Sequence, residues 1–266
     1  MILQPNCKIN LGLHILCRRT DGYHEIETVF YPINDLCDEL EIIPHEESSD
    51  RPIRAFIQEG IAIDCAAEDN ICIKAYRLLK DAFPQQVKDV TLRLRKQIPF
   101  GAGLGGGSAD AAYTLKGLNA LFGLNLTNEQ LKQYAVRIGA DCAFFIDNKP
   151  AFAAGIGEQL RPIELDLSNY TIRIEKPDES VSTKEAYAGV KPRFPQGISG
   201  KRESELLTVI QSPIERWKGR LTNDFESSIF PKHPAIEIVK EKFYQQGAVY
   251  ASMSGSGASV FGLFPK

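Results

Sequence analysis

The spacing of hydrophobic and polar positions changes several times along the chain. Near the N-terminus Ile9, Leu11, Leu13 and Ile15 alternate with Asn10, Gly12 and His14. That period of two predicts a strand with one face buried. Arg19-Thr20-Asp21-Gly22 then reads as a turn. Strands are also predicted over residues 39–43, 53–58 and 90–98, the last with Val90, Leu92 and Leu94 on one face. A helical period follows Asp69, an N-cap type, with Ile71, Ala75, Leu78 and Leu79 recurring on one side. Residues 108–121, rich in Ala and Leu, predict a second helix. Thr127-Asn128-Glu129-Gln130 has the form of a capping box opening a third, with Gly139 where a C-terminal glycine would stand.

The character shifts near Asn148-Lys149-Pro150, which suggests a boundary between residues 1–150 and 151–266. Beyond it, strands are predicted over 151–154, 170–175, 249–253 and 259–264, and helices over 203–211 and 234–246. Lys191 to Lys201, with its Pro, Gly and Lys residues, reads as a surface loop. Several strands precede the first long helix, so the order argues for an α+β protein rather than a regular βαβ series.

Composition narrows the field further. Of 266 residues, 43% are apolar and 24% charged, which excludes a disordered, collagenous or coiled-coil chain. With 34 acidic against 31 basic side chains the net charge is −3. A partner held by bulk electrostatics, such as duplex nucleic acid or an anionic membrane, is therefore not expected, although a local basic pocket stays open. The six cysteines, at positions 7, 17, 37, 65, 72 and 142, form no CxxC pair and have no histidine cluster beside them. That argues against a zinc site and against a disulfide framework, and for reduced thiols in a cytoplasm. The first residues show no basic segment followed by an apolar run, so no secretory signal is read there. The longest uncharged stretch, 243–265, is interrupted by four glycines and predicts no membrane span.

The most informative stretch is Pro99-Phe100-Gly101-Ala102-Gly103-Leu104-Gly105-Gly106-Gly107-Ser108, between a predicted strand and a predicted helix. Glycines let backbone N–H groups approach a ligand closely, and the helix start adds unpaired donors and partial positive charge. Together they suit phosphate. Two common phosphate loops fail here. Gly101 to Gly106 satisfies GxGxxG, but a second helix is predicted where the dinucleotide fold needs a strand ending in an acid. Gly101 to Ser108 approaches GxxxxGK[ST], but Gly107 stands where the lysine must be.

Other polar residues carry possible chemistry, each with an ordinary alternative. Lys8 and Asn10 share one strand face, either solvent-facing or aimed at a ligand. Asp141 follows the Gly139-Ala140 helix end, where an acid is usually a turn or cap residue. Tyr23-His24 follows a turn and reads as a packed ring and a surface imidazole, or as a pair that could stack on and hydrogen-bond a flat base. Lys96 and Asn70 can be a solvated side chain and a helix cap, or contacts near a nucleotide. Gly255-Ser256-Gly257-Ala258-Ser259 is a tight hairpin or a place of close backbone approach.

The pattern PxxxGLGGGS resembles the phosphate loop of the GHMP kinase superfamily. Asn6-Cys7-Lys8-Ile9-Asn10-Leu11, Asp21-Gly22-Tyr23-His24, Asp69-Asn70-Ile71, the stretch from Gly139 to Phe145, and Gly255-Ser256-Gly257 agree with it along the chain, and Asn223-Asp224-Phe225-Glu226 does so more weakly. Where the family often has Ser-Ser after the glycines, this chain has Ser108-Ala109, which removes a second hydroxyl. The resemblance implies a two-domain GHMP kinase fold. An N-terminal ribosomal-protein-S5-like domain (1–150) with a left-handed βαβ unit would bind ATP, and a C-terminal ferredoxin-like domain (151–266) would bind substrate. It implies Asp141 as general base with Lys8 as its partner, and ATP held by Pro99, Gly101, Gly103, Leu104, Gly105, Gly106, Gly107 and Ser108, with Lys96 and Asn70 nearby. Asn10, Tyr23, His24, Thr183 and Tyr187 would hold a small-molecule substrate carrying a cytidine diphosphate group. Mg2+ would travel with the nucleotide, without a dedicated protein site, in a monomer or weak homodimer. Another kinase of the superfamily, acting on mevalonate or homoserine, and a nucleotide-binding sensor without catalysis are the alternatives. Tyr23-His24 with the triple glycine speaks against the first, and the presence of both Lys8 and Asp141 against the second.

Overall fold

The computed structural model describes residues 1–46, 53–63, 66–198 and 203–266. In chain order the first elements are β1 (Ile2–Leu3), β2 (Asn6–Arg18), β3 (His24–Cys37), β4 (Glu39–Pro44) and β5 (Ile53–Gly60). Then come α1 (Ile71–Ala82), β6 (Val90–Lys96), α2 (Gly106–Leu121), α3 (Asn128–Ala135) and α4 (Phe144–Asp147). The second half holds β7 (Ala151–Ala154), β8 (Gln159–Pro162), β9 (Tyr170–Glu175), α5 (Thr183–Gly189) and α6 (Glu205–Ile210). It closes with α7 (Glu226–Ile229), α8 (Pro234–Gln245), β10 (Tyr250–Met253) and β11 (Val260–Pro265).

The chain divides into two compact units. One comprises Met1–Cys7, Pro32–Phe100 and Gly105–Lys149; the other comprises Lys8–Tyr31, Gly101–Leu104 and Pro150–Lys266. The first unit is built on the sheet β1-β4-β6-β5. β4 and β6 run antiparallel, with Leu40 opposite Leu94 and Ile42 opposite Leu92, while β5 and β6 run parallel with α1 between them in sequence. These three leucines and Ile42 are fully buried, each worth about 1.5–3 kcal/mol in area removed from water. Helix α2 packs on α1 and approaches the sheet at Gly117, where a Cβ would lie 2.6 Å from Leu3 Cδ1 and 2.7 Å from Ile42 Cδ1.

The second unit has the sheets β2-β3-β7-β8 and β10-β11-β9. Helix α8 packs on β10 and β11. Leu13, Ile15, Ile26, Phe225, Ile229, Ile236, Phe243, Met253 and Val260 belong to one buried cluster there.

Several expectations change. β2 is buried on both faces, with Lys8, Asn10 and His14 at 3%, 2% and 1% exposure, so its polar parity does not face solvent. β3 has no counterpart in the alternation because Glu25, Glu27, Thr28, Asn34 and Asp35 interrupt it; its ladder partners, not its own pattern, define it. The cap of α1 is Asn70, whose side chain accepts from Cys72 N at 2.9 Å; Asp69 lies in the preceding 3-10 turn. α3 has the full capping box at Thr127, yet Gly139 is not its terminal glycine. Val136 caps the helix, and Gly139 is extended at φ −175°, ahead of a 3-10 turn, Ala140–Ala143. The five described cysteines, 7, 17, 37, 72 and 142, are free thiols; Cys65 and residues 199–202 of the expected surface loop lie outside the described residues.

Candidate active site

The glycine loop takes its shape from two separate demands. Gly101, Gly103 and Gly105 have φ of 62°, 73° and 71°, a region that side-chain-bearing residues avoid. Gly105 stands at the N-cap of α2 with no side-chain cap, so the first amides of the helix have no local acceptor from it. Gly106 is helical but crowded: a Cβ would lie 2.8 Å from Ile98 Cγ2 and 3.3 Å from Lys96 Nζ. Gly107 is roomier, with nothing nearer than Ile71 Cγ2 at 4.0 Å. Pro99 and Ser108 are half-buried and Leu104 is buried.

In the second unit, Gly101–Leu104 is held by strand β2 and the β10–β11 turn. Lys8 N donates to Leu104 O at 2.9 Å, and Lys8 Nζ donates to Gly103 O at 3.1 Å and to Asn10 Oδ1. Ser254 Oγ donates to Gly103 O at 2.9 Å and accepts from Asn10 N at 3.2 Å. Asn10 Nδ2 donates to Thr28 Oγ1 at 3.0 Å, and that hydroxyl donates to Gly12 O at 2.6 Å. A Cβ on Gly103 would fall 1.9 Å from Ser254 O, so the loop backbone lies against the turn. Asn223 Nδ2 holds that turn by donating to the carbonyls of Met253 and Gly255, each at 2.8 Å. The Gly255-Ser256-Gly257 stretch is thus both the β10–β11 connection and a close neighbour of Asn10 and Gly103. Lys8 and Asn10 are brought together with the loop, their ammonium and amide oriented by partners that only the fold supplies.

In the first unit, Asp141 lies in the 3-10 turn that packs against α2. Its neighbour Cys142 meets the Ser108 hydroxyl, and burial pushes that thiol up to about 12, so it is a packing group at neutral pH. Asn70 is buried as the α1 cap. Lys96 is also buried, its ammonium bonded to Asp38 and to Asp110, the latter at 2.7 Å. Among the described residues no group of three or more His, Cys, Asp or Glu side chains could hold a metal ion.

Tyr23 and His24 follow the predicted turn, where Arg19 N donates to Tyr23 O at 2.8 Å and Gly22 has φ 91°. Tyr23 is 61% exposed. The His24 ring stacks on Tyr187, with centroids 4.8 Å apart and 22° between planes. Tyr187 in turn meets Phe225 edge-on at 4.9 Å. Burial, with Arg18 adding, holds the His24 pKa below the usual imidazole value, so the ring is neutral at pH 7 and can both donate and accept. Thr183 is the exposed first residue of α5, capped by Ser182.

Residues 70–155 match the GHMP kinases N terminal domain and residues 211–266 the GHMP kinases C terminal domain. Fold and glycine loop together define an ATP-dependent phosphotransferase of the GHMP kinase class, with the α+β architecture of its N- and C-terminal domains. The 4-diphosphocytidyl-2-C-methyl-D-erythritol kinase of Azobacteroides pseudotrichonymphae is 49% identical over 100% of this chain and 94% of its own length. That of Parabacteroides distasonis is 50% identical over 100% of this chain and 92% of its own. A crystal structure of 4-(cytidine 5'-diphospho)-2C-methyl-D-erythritol kinase superposes with a TM-score of 0.79 at 31% identity, covering 99% of this chain and 90% of that one. A homoserine kinase from Cytophaga hutchinsonii, 19% identical with a TM-score of 0.69 over 90% of this chain and 79% of its own, shares the fold. The chain belongs to the family of 4-diphosphocytidyl-2-C-methyl-D-erythritol kinases.

Proposed function

We propose that this protein transfers the γ-phosphoryl group of ATP to the 2-hydroxyl of 4-diphosphocytidyl-2-C-methyl-D-erythritol, in the non-mevalonate route to isoprenoid precursors. The observation that carries the reading is the glycine loop. Three left-handed glycines and a bare helix start present amides without side chains in the way, the arrangement that binds polyanionic phosphates. The Gly101–Ser108 backbone would cradle the phosphates, with Pro99 and Leu104 setting the approach and Asn70 and Lys96 supporting the site. Mg2+ would come with the nucleotide and neutralise phosphate charge.

Asp141 is the proposed general base. A hydroxyl is a weak nucleophile, so its proton must leave as its oxygen attacks phosphorus. The carboxylate takes that proton, the new O–P bond forms, the bond to the bridging oxygen breaks, and ADP departs. Lys8 is its proposed partner. Its ammonium, already anchored by Asn10 and the Gly103 carbonyl, offsets charge on the transferring group. Asn10 orients Lys8 and contributes to the substrate site.

Cytosine recognition is assigned to Tyr23, His24 and Tyr187, with Thr183 at the start of α5. A base held by ring faces and a neutral imidazole edge has both stacking and hydrogen bonds available. The His24–Tyr187 stack supports this, because an aromatic surface is already assembled there. ATP-dependent phosphorylation measured side by side with the cytidylated sugar, mevalonate and homoserine tests the reading. Turnover of the cytidylated substrate alone is expected; preference for either of the others would reject it.

A further inference from the structure

Beneath the start of α2 lies a buried charge cluster that phosphoryl transfer does not itself require. Lys96 ends β6, Asp38 precedes β4 and Asp110 lies in the second turn of α2; their side chains are 2%, 0% and 1% exposed. Asp38 Oδ1 accepts from Gln97 N at 2.6 Å and Ile98 N at 2.9 Å, and its Oδ2 accepts from Lys96 Nζ. Lys96 Nζ also donates to Asp110 Oδ2 at 2.7 Å. Asp38 thereby fixes the chain entering the glycine loop, and Asp110 the helix leaving it.

The charges do not balance. Two carboxylates and one ammonium leave a net −1 in the interior if all are ionised, and a buried uncompensated charge is strongly unfavourable. A proton on one acid would restore neutrality, and the two acids differ in the donors they meet. Asp38 accepts three hydrogen bonds, one from Lys96 Nζ and two from the backbone amides of Gln97 and Ile98. Asp110 receives one, and its Oδ1 is buried without a partner among the described residues. We propose that Asp38, Lys96 and Asp110 form a positioning clamp for the phosphate loop, electrically neutral while Asp110 is protonated, and that loss of this proton weakens nucleotide binding. Two effects then act together. A negative charge appears near the helix start that must receive phosphate, and the clamp holding both ends of the loop acquires a net charge. Burial is the largest influence on the Asp110 carboxyl, with Lys96 opposing it and Asp38 adding to it, and the result is a value of about 8. Among the described residues, Cys72 on α1 is a further titratable group facing it, and burial drives that thiol far above neutrality.

The proposal rests on the reading of the glycine loop as the nucleotide site, and the test separates the two. Affinity for MgATP is measured by calorimetry between about pH 7 and about pH 9.5, in buffers of different ionisation enthalpy, for wild type, Asp110→Asn, Asp38→Asn and Gly107→Val. Wild type should lose about five- to tenfold in affinity over that range, the effect of one charge at moderate distance. It should also take up protons on binding at the upper end. Asp110→Asn cannot ionise and should give a flat profile, tighter than wild type at high pH. Asp38→Asn leaves a simple Lys96–Asp110 ion pair and should also be flat, which keeps the test decisive if the first variant folds poorly. A wild-type profile in a folded variant overturns the clamp. If Gly107→Val binds MgATP as wild type does, the loop reading itself fails and the clamp with it; if Gly107→Val loses binding while Asp110→Asn titrates like wild type, only the clamp fails. A merely structural role would change unfolding but not the pH profile of nucleotide affinity in the folded protein.

Discussion

At the scale of single residues, the proposed chemistry depends on where a few charges are held. Lys8 is buried at 3% exposure, yet its ammonium is directed by Asn10 and a loop carbonyl. Asp141 is the proposed general base, the group that would accept the hydroxyl proton as the transition state forms. Asp141→Asn should keep MgATP affinity near the wild-type value and lower kcat by roughly 10²–10⁴-fold, the usual contribution of a general base. Steady-state kinetics beside a nucleotide titration would check this, and near wild-type kcat in the folded variant would remove Asp141 from the role.

At the scale of elements, the loop from β6 to α2 shows that identical backbone signs can carry different costs. Gly101 and Gly103 have similar positive φ, but a Cβ at Gly101 meets nothing within 4 Å, whereas one at Gly103 meets the Ser254 carbonyl at 1.9 Å. Gly101→Ala should therefore cost only the backbone strain, about 1–2 kcal/mol. Gly103→Ala adds a clash with backbone that cannot swing aside, so it should displace the loop from the β10–β11 turn. The expected outcome is retained turnover in Gly101→Ala and loss of most activity in Gly103→Ala, read from specific activity with circular dichroism to verify folding. Equal activity in the two variants would mean that the Gly103–Ser254 approach is not needed.

At the scale of the whole molecule, stability is linked to pH through the buried acid. Asp110 binds its proton more tightly in the folded chain, at about 8, than at its ordinary value of 3.8. Across that interval the folded state holds more protons than the unfolded state, so stability falls as pH rises. The contribution from this group is complete below the ordinary value and gone above the folded one. Between about pH 6 and about pH 8, the melting temperature of wild type should fall relative to that of Asp110→Asn. Differential scanning calorimetry of both proteins would show it, and parallel curves would contradict the raised pKa.

Much of this protein is legible in its amino-acid sequence. The alternation around Ile9–Ile15, the strand at Val90–Leu94, the capping box at Thr127 and the strand-loop-helix setting of the glycines are local features, set by side-chain period and backbone freedom within a few residues. β3 was not readable, because its polar residues disguise its period and its identity comes from partners distant in sequence. Nor was the burial of Lys8 and Asn10, since parity assigns a face but not what covers it. Gly139 shows the same limit: a glycine after a helix permits a left-handed end, but the chain there is extended toward the turn carrying Asp141. The Asp38–Lys96–Asp110 cluster is the clearest case. Residues 38, 96 and 110 are far apart in sequence and ordinary in type, and only tertiary packing decides that two acids share one ammonium away from water, which changes what each of them does.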